Sequence, residues 1–432
     1  NNYFCITKAI ARAKKSKAKP TIIIFKTQIG YGSVHAGSNL IHGKPLTTEE
    51  LEKLKQNLGV EGGFKIDEDV KEYCYRAHRR AKVEYFKWEK QVVLYKNTHP
   101  DLCQQFFDYF NRPKLNLPKL CKGKFTENMP MREANHIVLN QIAKNLTSFI
   151  GGTADVAPST QAYIDDGGDL SASNYRGRNI HYGVREHAMG AITNGISLYA
   201  GASAFCSTFL SFSNYELPAI RMAGLMNLPV MHIFTHDSII VGEDGPTHQP
   251  VEQLTQLRAI PNITVYRPAD YNELMAVYST AYENKKPSVF IIAKQALPEI
   301  NSSFEGAMCG AYVLLEDEKP EVILFASGSE VGLAVKAKEL LNKDNIPCVV
   351  ISVPSIELFE RQPEKYKKSI LKHEIKNRFC VEASNDYKWL NVFGGKFFGV
   401  TKFGASGKGK DVLKYMNFEP RDLVKFVKTN LN

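Results

Sequence analysis

Residues 235–250, THDSIIVGEDGPTHQP, hold the densest group of side chains suited to moving protons or gripping hydroxyl and phosphate groups. The segment follows the apolar run 229–234 (PVMHIF) and places His236, Asp237, Glu243, Asp244 and His248 in one loop punctuated by Gly and Pro. Imidazoles and carboxylates so close together can serve general acid–base chemistry. An arbitrary polar loop is more often plain surface, but one issuing from a strand end in an α/β protein sits where ligands gather. A second segment, 181–190 (HYGVREHAMG), sets Glu186 between Arg185 and His187, where a strand-like stretch meets a small-residue helical one. Its plain alternative is a surface carboxylate paired with Arg185. A third, 207–221 (STFLSFSNYELPAIR), spaces Phe209, Phe212 and Tyr215 at i, i+3 and i+6. That spacing ordinarily means core packing, and it becomes a stacking surface only where a flat cofactor is expected.

Short β-branched runs followed by helix-like stretches must position these groups. The runs are 21–25 (TIIIF), 229–234, 263–267 (ITVYR), 288–294 (SVFIIAK), 322–326 (VILFA), 348–353 (CVVISV) and 378–382 (RFCVE). Continuously apolar strands belong to parallel sheets covered on both faces, and their alternation with helices predicts a doubly wound α/β fold. The charged, aromatic, helix-prone zone 65–125 and the polar SSFEG segment near 305 interrupt the pattern. The expected organisation is therefore an α/β remnant with a helical connection over 1–100, a whole α/β domain over 101–305, and a smaller C-terminal one over 306–432.

Composition narrows the classes. Apolar residues are 44% and charged residues 23% of the 432, with no apolar run long enough to span a bilayer, so no membrane partner is expected. Eight scattered cysteines form no CxxC pair, which speaks against a zinc ribbon, a redox dithiol or a disulfide scaffold and for a reducing, cytoplasmic setting. Cys206, Cys348 and Cys380 lie in strand-like runs and read as buried thiols. The net charge of +10 raises nucleic acid as a partner, but the basic runs 12–19 and 78–82 read as solvated helix faces. A basic balance equally suits anionic, phosphorylated substrates, and nucleic acid is set aside. Residues 404–411 (GASGKGKD) approach a phosphate-binding loop, but Asp411 stands where Ser or Thr is needed. In 328–332 (GSEVG), Ser329 reads as a helix cap.

The three chemical segments, in this order, resemble transketolase. So do 29–46 (IGYGSVHAGSNLIHGKPL), 151–160 (GGTADVAPST) and 403–407 (FGASG), so the resemblance covers nearly the whole chain and is weakest between about 60 and 125. It implies a thiamine diphosphate-binding fold: a pyrimidine domain, a C-terminal transketolase-type domain, and part of the diphosphate-binding domain. It implies transfer of a two-carbon ketol unit from a ketose phosphate (xylulose 5-phosphate) to an aldose phosphate (ribose 5-phosphate or erythrose 4-phosphate), in the pentose phosphate pathway. Thiamine diphosphate with Mg2+ or Ca2+ is the implied cofactor set, sugar phosphates are the implied substrates, and a homodimer with active sites at its subunit interface is the implied assembly.

By the same resemblance, Glu186 is the carboxylate that bonds N1′ of the aminopyrimidine, favouring the imino tautomer that removes the C2 proton. Phe209, Phe212 and Tyr215 form the pyrimidine pocket, with Phe212 as the stacking face and Asp155 near the thiamine. His248 and His42 are catalytic and touch the sugar, Asp244 reads its hydroxyl configuration, and Arg132, Ser159 and His236 cradle its phosphate. Lys294 stands where the family has Arg; it keeps the charge but loses the bidentate fork, so altered phosphate affinity is expected. The metal ligands are expected outside this sequence: the DDGGD run at 165–169 has suitable letters but reads as a polar loop. The resulting expectation is part of a longer polypeptide, lacking most of the diphosphate- and metal-binding domain and inactive alone. Two rivals share these motifs, 1-deoxyxylulose-5-phosphate synthase and the β subunit of a 2-oxo acid dehydrogenase. A non-catalytic descendant of the fold is a third reading.

Overall fold

The computed structural model describes residues 2–63 and 65–431. The chain divides into two compact units, 1–95 and 96–432.

The second unit contains two sheets. In the first, β1 (Phe149–Thr153), β2 (Asn179–His181), β3 (Ser203–Phe209), β4 (Met231–Thr235), β5 (Thr264–Tyr266) and β6 (Ser288–Ile292) run parallel in the order β2-β1-β3-β4-β6-β5. Every residue of β3, β4 and β6 is buried, and alternate side chains enter opposite cores. Ile233 and Phe290 pack among the apolar residues of helices Met131–Asn145 and Tyr271–Asn284. Phe234 and Ile291 pack with Ile220, Leu254 and Leu257. Helices thus cover both faces, as uninterrupted apolar strands require.

In the second sheet, β7 (Tyr312–Glu316), β8 (Val322–Ala326), β9 (Cys348–Ser352), β10 (Asn377–Val381) and β11 (Lys396–Phe398) take the order β11-β10-β8-β9-β7. Only the edge strand β7 runs antiparallel. Its two faces separate in the same way, Leu324 and Val350 into one core, Phe325 and Ile351 into the other. The doubly wound α/β class expected from the sequence is the observed one.

The first unit is helical where it is regular: Tyr3–Lys15, Thr48–Leu58 closed by a Thr47/Glu50 capping box, and most of the long helix Glu68–Thr98. The expected strand at 21–25 does not form. Ile22 and Ile24 are 87% and 86% exposed, and the segment pairs with none of the described residues. A strand's hydrogen bonds come from its neighbours, so β-branched composition without a ladder leaves only extended backbone.

Candidate active site at the strand ends

The carboxyl ends of five adjacent strands deliver most of the chemical side chains. From β2 the chain runs through 182–185 to Glu186, the first residue of helix Glu186–Tyr199. From β1 it reaches Asp155, held at φ 65, and Ser159 in the short helix Ala157–Thr160. Phe209 ends β3, Phe212 lies in the following turn, and Tyr215 opens outward from helix Ser213–Met226. From β4 come His236, Asp244 and His248, and two residues past β6 stands Lys294. Parallel strands place all these ends on one side of the sheet. Arg132 joins them because the backbone N–H of Met131 donates to Gln295 O (3.0 Å), tying its helix to the segment after β6.

Arg132, Ser159, His236, Asp244, His248 and Lys294 converge. Arg132 Nη1 donates to Ser159 O at 3.0 Å, while its buried Nε has no partner. Lys294 Nζ lies 3.3 Å from Asp244 Oδ2. The His236 ring packs on Phe209 at 3.9 Å between centroids, and Nδ1 lies 2.8 Å from Thr235 Oγ1. Burial first, then the charges of Lys294 and Arg132, push the His236 imidazolium down to about 3, with Asp244 opposing. His236 is therefore neutral at ordinary pH, in a pocket whose field already favours an anion.

Phe212 stacks on Phe209 (5.7 Å, 27°) and meets His248 edge-on (5.1 Å), so the aromatic triplet adjoins the imidazoles. Phe209 is buried, Phe212 half-buried and Tyr215 66% exposed, which leaves Phe212 and Tyr215 with free ring surface. Glu186 is only 9% exposed, yet among the described residues its carboxylate makes no hydrogen bond or ion pair. The plain alternative fails: Arg185 Nη1 donates to Tyr182 O at 2.9 Å instead. A nearly buried, unpartnered carboxylate at the N-terminus of a helix that packs on helix Ser213–Met226, through Asn194 Nδ2 donating to Ala219 O at 2.9 Å, fits a flat heterocycle carrying N–H donors. His42 belongs to the first unit, where it is exposed after the turn Asn39–Ile41.

Two residues take other roles than their sequence context suggests. Asp237 is buried, and Arg267 Nη2 donates to its Oδ2 at 2.8 Å. It is thereby consumed structurally. Ser329 is not a cap: Gly328 holds the N-cap position, and Ser329 Oγ lies 2.8 Å from Asp237 Oδ2 and accepts from Arg267 Nη2 at 3.0 Å. This buried network, extended by Glu330, Glu382, Arg258 and Asp386, bridges the two sheets' domains and was invisible in the sequence. The loop 404–408 also braces the site, since Gln249 Nε2 donates to Gly242 O (3.0 Å) and Ala405 O (2.9 Å). Two of the three acids of 165–169 are engaged locally, Asp165 with His136 (3.0 Å) and Asp169 with His181 (2.9 Å).

Comparison with known proteins accords with this layout. Residues 1–114 match the transketolase thiamine diphosphate binding domain, 127–299 the transketolase pyrimidine binding domain, and 310–419 the transketolase-like C-terminal domain. The match over 1–114 includes much of the stretch where motif resemblance is weakest. The chain is 39% identical to a transketolase of Bacillus subtilis, the alignment covering all of this chain and 67% of that protein. It is 39% identical to transketolase 1 of Saccharomyces cerevisiae over 96% of this chain and 63% of the relative. A Pichia stipitis transketolase solved with sedoheptulose-7-phosphate superposes with a TM-score of 0.92 at 34% identity, over all of this chain and 65% of that one. The chain belongs to the transketolase family, and it spans about two thirds of the length of these relatives.

Proposed function

We propose that this chain carries the pyrimidine-side catalytic groups and the substrate site of a transketolase. The reaction is reversible transfer of a two-carbon ketol unit between sugar phosphates, from xylulose 5-phosphate to ribose 5-phosphate or erythrose 4-phosphate. The observation that carries the reading is Glu186, a nearly buried carboxylate that makes no hydrogen bond or ion pair among the described residues. Thiamine diphosphate, when bound, supplies the nucleophilic thiazolium carbon. Glu186 would hold the proton at N1′ of the aminopyrimidine, and Phe212 would support the ring's face. Arg132, Ser159, His236 and Lys294 would receive the substrate phosphate. Neutral His236 offers a donor there without a charge to desolvate. Asp244 and His248 would bind the reacting hydroxyls, His248 exchanging their protons, and His42 would be a further histidine touching the sugar. Asp155 would stand near the thiamine. Mg2+ or Ca2+ would accompany the diphosphate, held by residues outside those assigned here. A homodimer completes the proposal, and its setting is a reducing cytoplasm, supported by eight scattered cysteines without a CxxC pair.

The test is ketol transfer from xylulose 5-phosphate to ribose 5-phosphate, with thiamine diphosphate and magnesium. It compares this chain with a version extended to the relatives' full length. The extended form is expected to turn over, and its Glu186→Ala variant to lose roughly 10²–10⁴-fold in kcat. Folded, cofactor-loaded extended protein without ketol transfer, or full activity in the variant, would overturn the assignment. Activity toward pyruvate in that case would point to the rival enzymes.

A further inference from the structure

The proposed chemistry leaves unused a trio of reactive side chains in the interior of the first sheet. Cys206 of β3 and His232 of β4 are direct cross-strand partners, and Glu216 reaches them from helix Ser213–Met226. All three are 0% exposed. Cys206 Sγ lies 3.2 Å from Glu216 Oε1 and 3.3 Å from His232 Nδ1, and His232 Nδ1 lies 2.6 Å from Glu216 Oε1. Glu216 Oε2 and His232 Nε2 are buried without any partner. The surroundings are tight and mostly apolar: Ala154, Tyr182 and Met189 pack with Cys206, and a Cβ at Gly190 would come within 2.8 Å of Glu216 Oε1.

A carboxylate so buried requires a compensating positive charge. Among the described residues its close polar neighbours are His232 Nδ1 and Cys206 Sγ, and no lysine or arginine pairs with it. One sulfur, one imidazole nitrogen and one carboxylate converging within a single ion's reach are the donor set of zinc. We infer that Cys206, Glu216 and His232 form a buried zinc site, separate from the cofactor's divalent ion. The charges close: Zn2+ neutralises one thiolate and one carboxylate, the imidazole being neutral. Binding releases the Cys206 thiol proton to solvent, uses the lone pair of His232 Nδ1, and changes no oxidation state. Bonds of about 2.0–2.3 Å require donor atoms roughly 3.3–3.6 Å apart. The edges to Cys206 must therefore open by roughly 0.1–0.4 Å and the His232–Glu216 edge by about 0.7 Å. The unpartnered Oε2 of Glu216 would be the donor left for the fourth position. The site would pin β3, β4 and their covering helix together directly beneath the helix that begins at Glu186.

The competing arrangement is a metal-free hydrogen-bonded trio, in which burial and the Glu216 charge keep the Cys206 thiol protonated. Elemental analysis of the full chain, purified without chelators or metal-affinity columns, separates the two. About one zinc per chain is expected, falling at least tenfold in Cys206→Ser and His232→Gln variants that still unfold cooperatively. Should those variants fail to fold, the unaltered chain refolded with Co2+ decides the matter, because a cobalt–thiolate charge-transfer band is expected. No zinc after refolding with equimolar zinc and no such band with cobalt would overturn the site. So would one zinc per chain persisting in both folded variants.

Discussion

At the scale of single residues, two groups in the candidate site make separable predictions. Glu186 keeps a carboxylate nearly out of water with no partner. Replacing it by the isosteric amide is therefore expected to change stability by less than about 1 kcal/mol, while turnover of the cofactor-loaded extended enzyme collapses. Chemical denaturation alongside activity checks this, and a large stability loss would assign Glu186 to the scaffold. His236 makes a pH prediction. Its folded-state value of about 3 lies below the ordinary 6.5, so between those limits the unfolded chain binds more protons. Its contribution is intact above about pH 6.5 and drains as pH falls toward 3. Between pH 7 and 4.5 the loss should amount to about 2–3 kcal/mol from this group. Urea midpoints for the unaltered chain and His236→Gln at both pH values test it: the variant should show a flatter dependence, and parallel slopes would refute the assignment.

At the scale of elements, the loop from β4 owes its placement to ion pairs of very different depth. Arg267 is 1% exposed and bound to Asp237 and Glu330, while the Lys294–Asp244 pair stands partly in solvent. Arg267→Met strands two buried acids and should cost about 3–5 kcal/mol. Lys294→Met should cost less than about 1 kcal/mol, while weakening sugar-phosphate binding in the extended enzyme. Equal losses in guanidinium titrations would contradict this ranking. Because Asp237 follows His236 directly, the Arg267 variant is also expected to lose substrate affinity through a misplaced imidazole.

At the scale of the whole molecule, the apolar cores lie entirely in the second unit. Among the described residues up to 95 only Ser33 is buried, whereas the cores of 96–432 line both sheets on both faces. Residues 96–432 expressed alone should unfold cooperatively, and residues 2–95 alone should show no cooperative transition. Calorimetry of the two pieces settles this. No helix of the described residues is long and apolar enough to cross a membrane.

Local sequence by itself determined where strands and helices alternate, because period and apolar continuity are properties of neighbouring residues. The runs at 322–326 and 288–294 correspond closely to β8 and β6, and the loop after 229–234 does leave a strand end. The same reasoning failed at 21–25, where a ladder rather than composition decides whether extended chain becomes sheet. Tertiary structure alone decided which acids are free. Glu186 and Asp237 look alike in sequence, each beside a histidine after a strand, yet one is unpartnered and the other is bound to Arg267, 30 residues away. Arg258 finds Glu382 across 124 residues, and Cys206 meets His232 across 26. Periodicity records which face of an element is buried; which side chains meet across that buried space depends on strand order and helix packing, which only the folded chain sets.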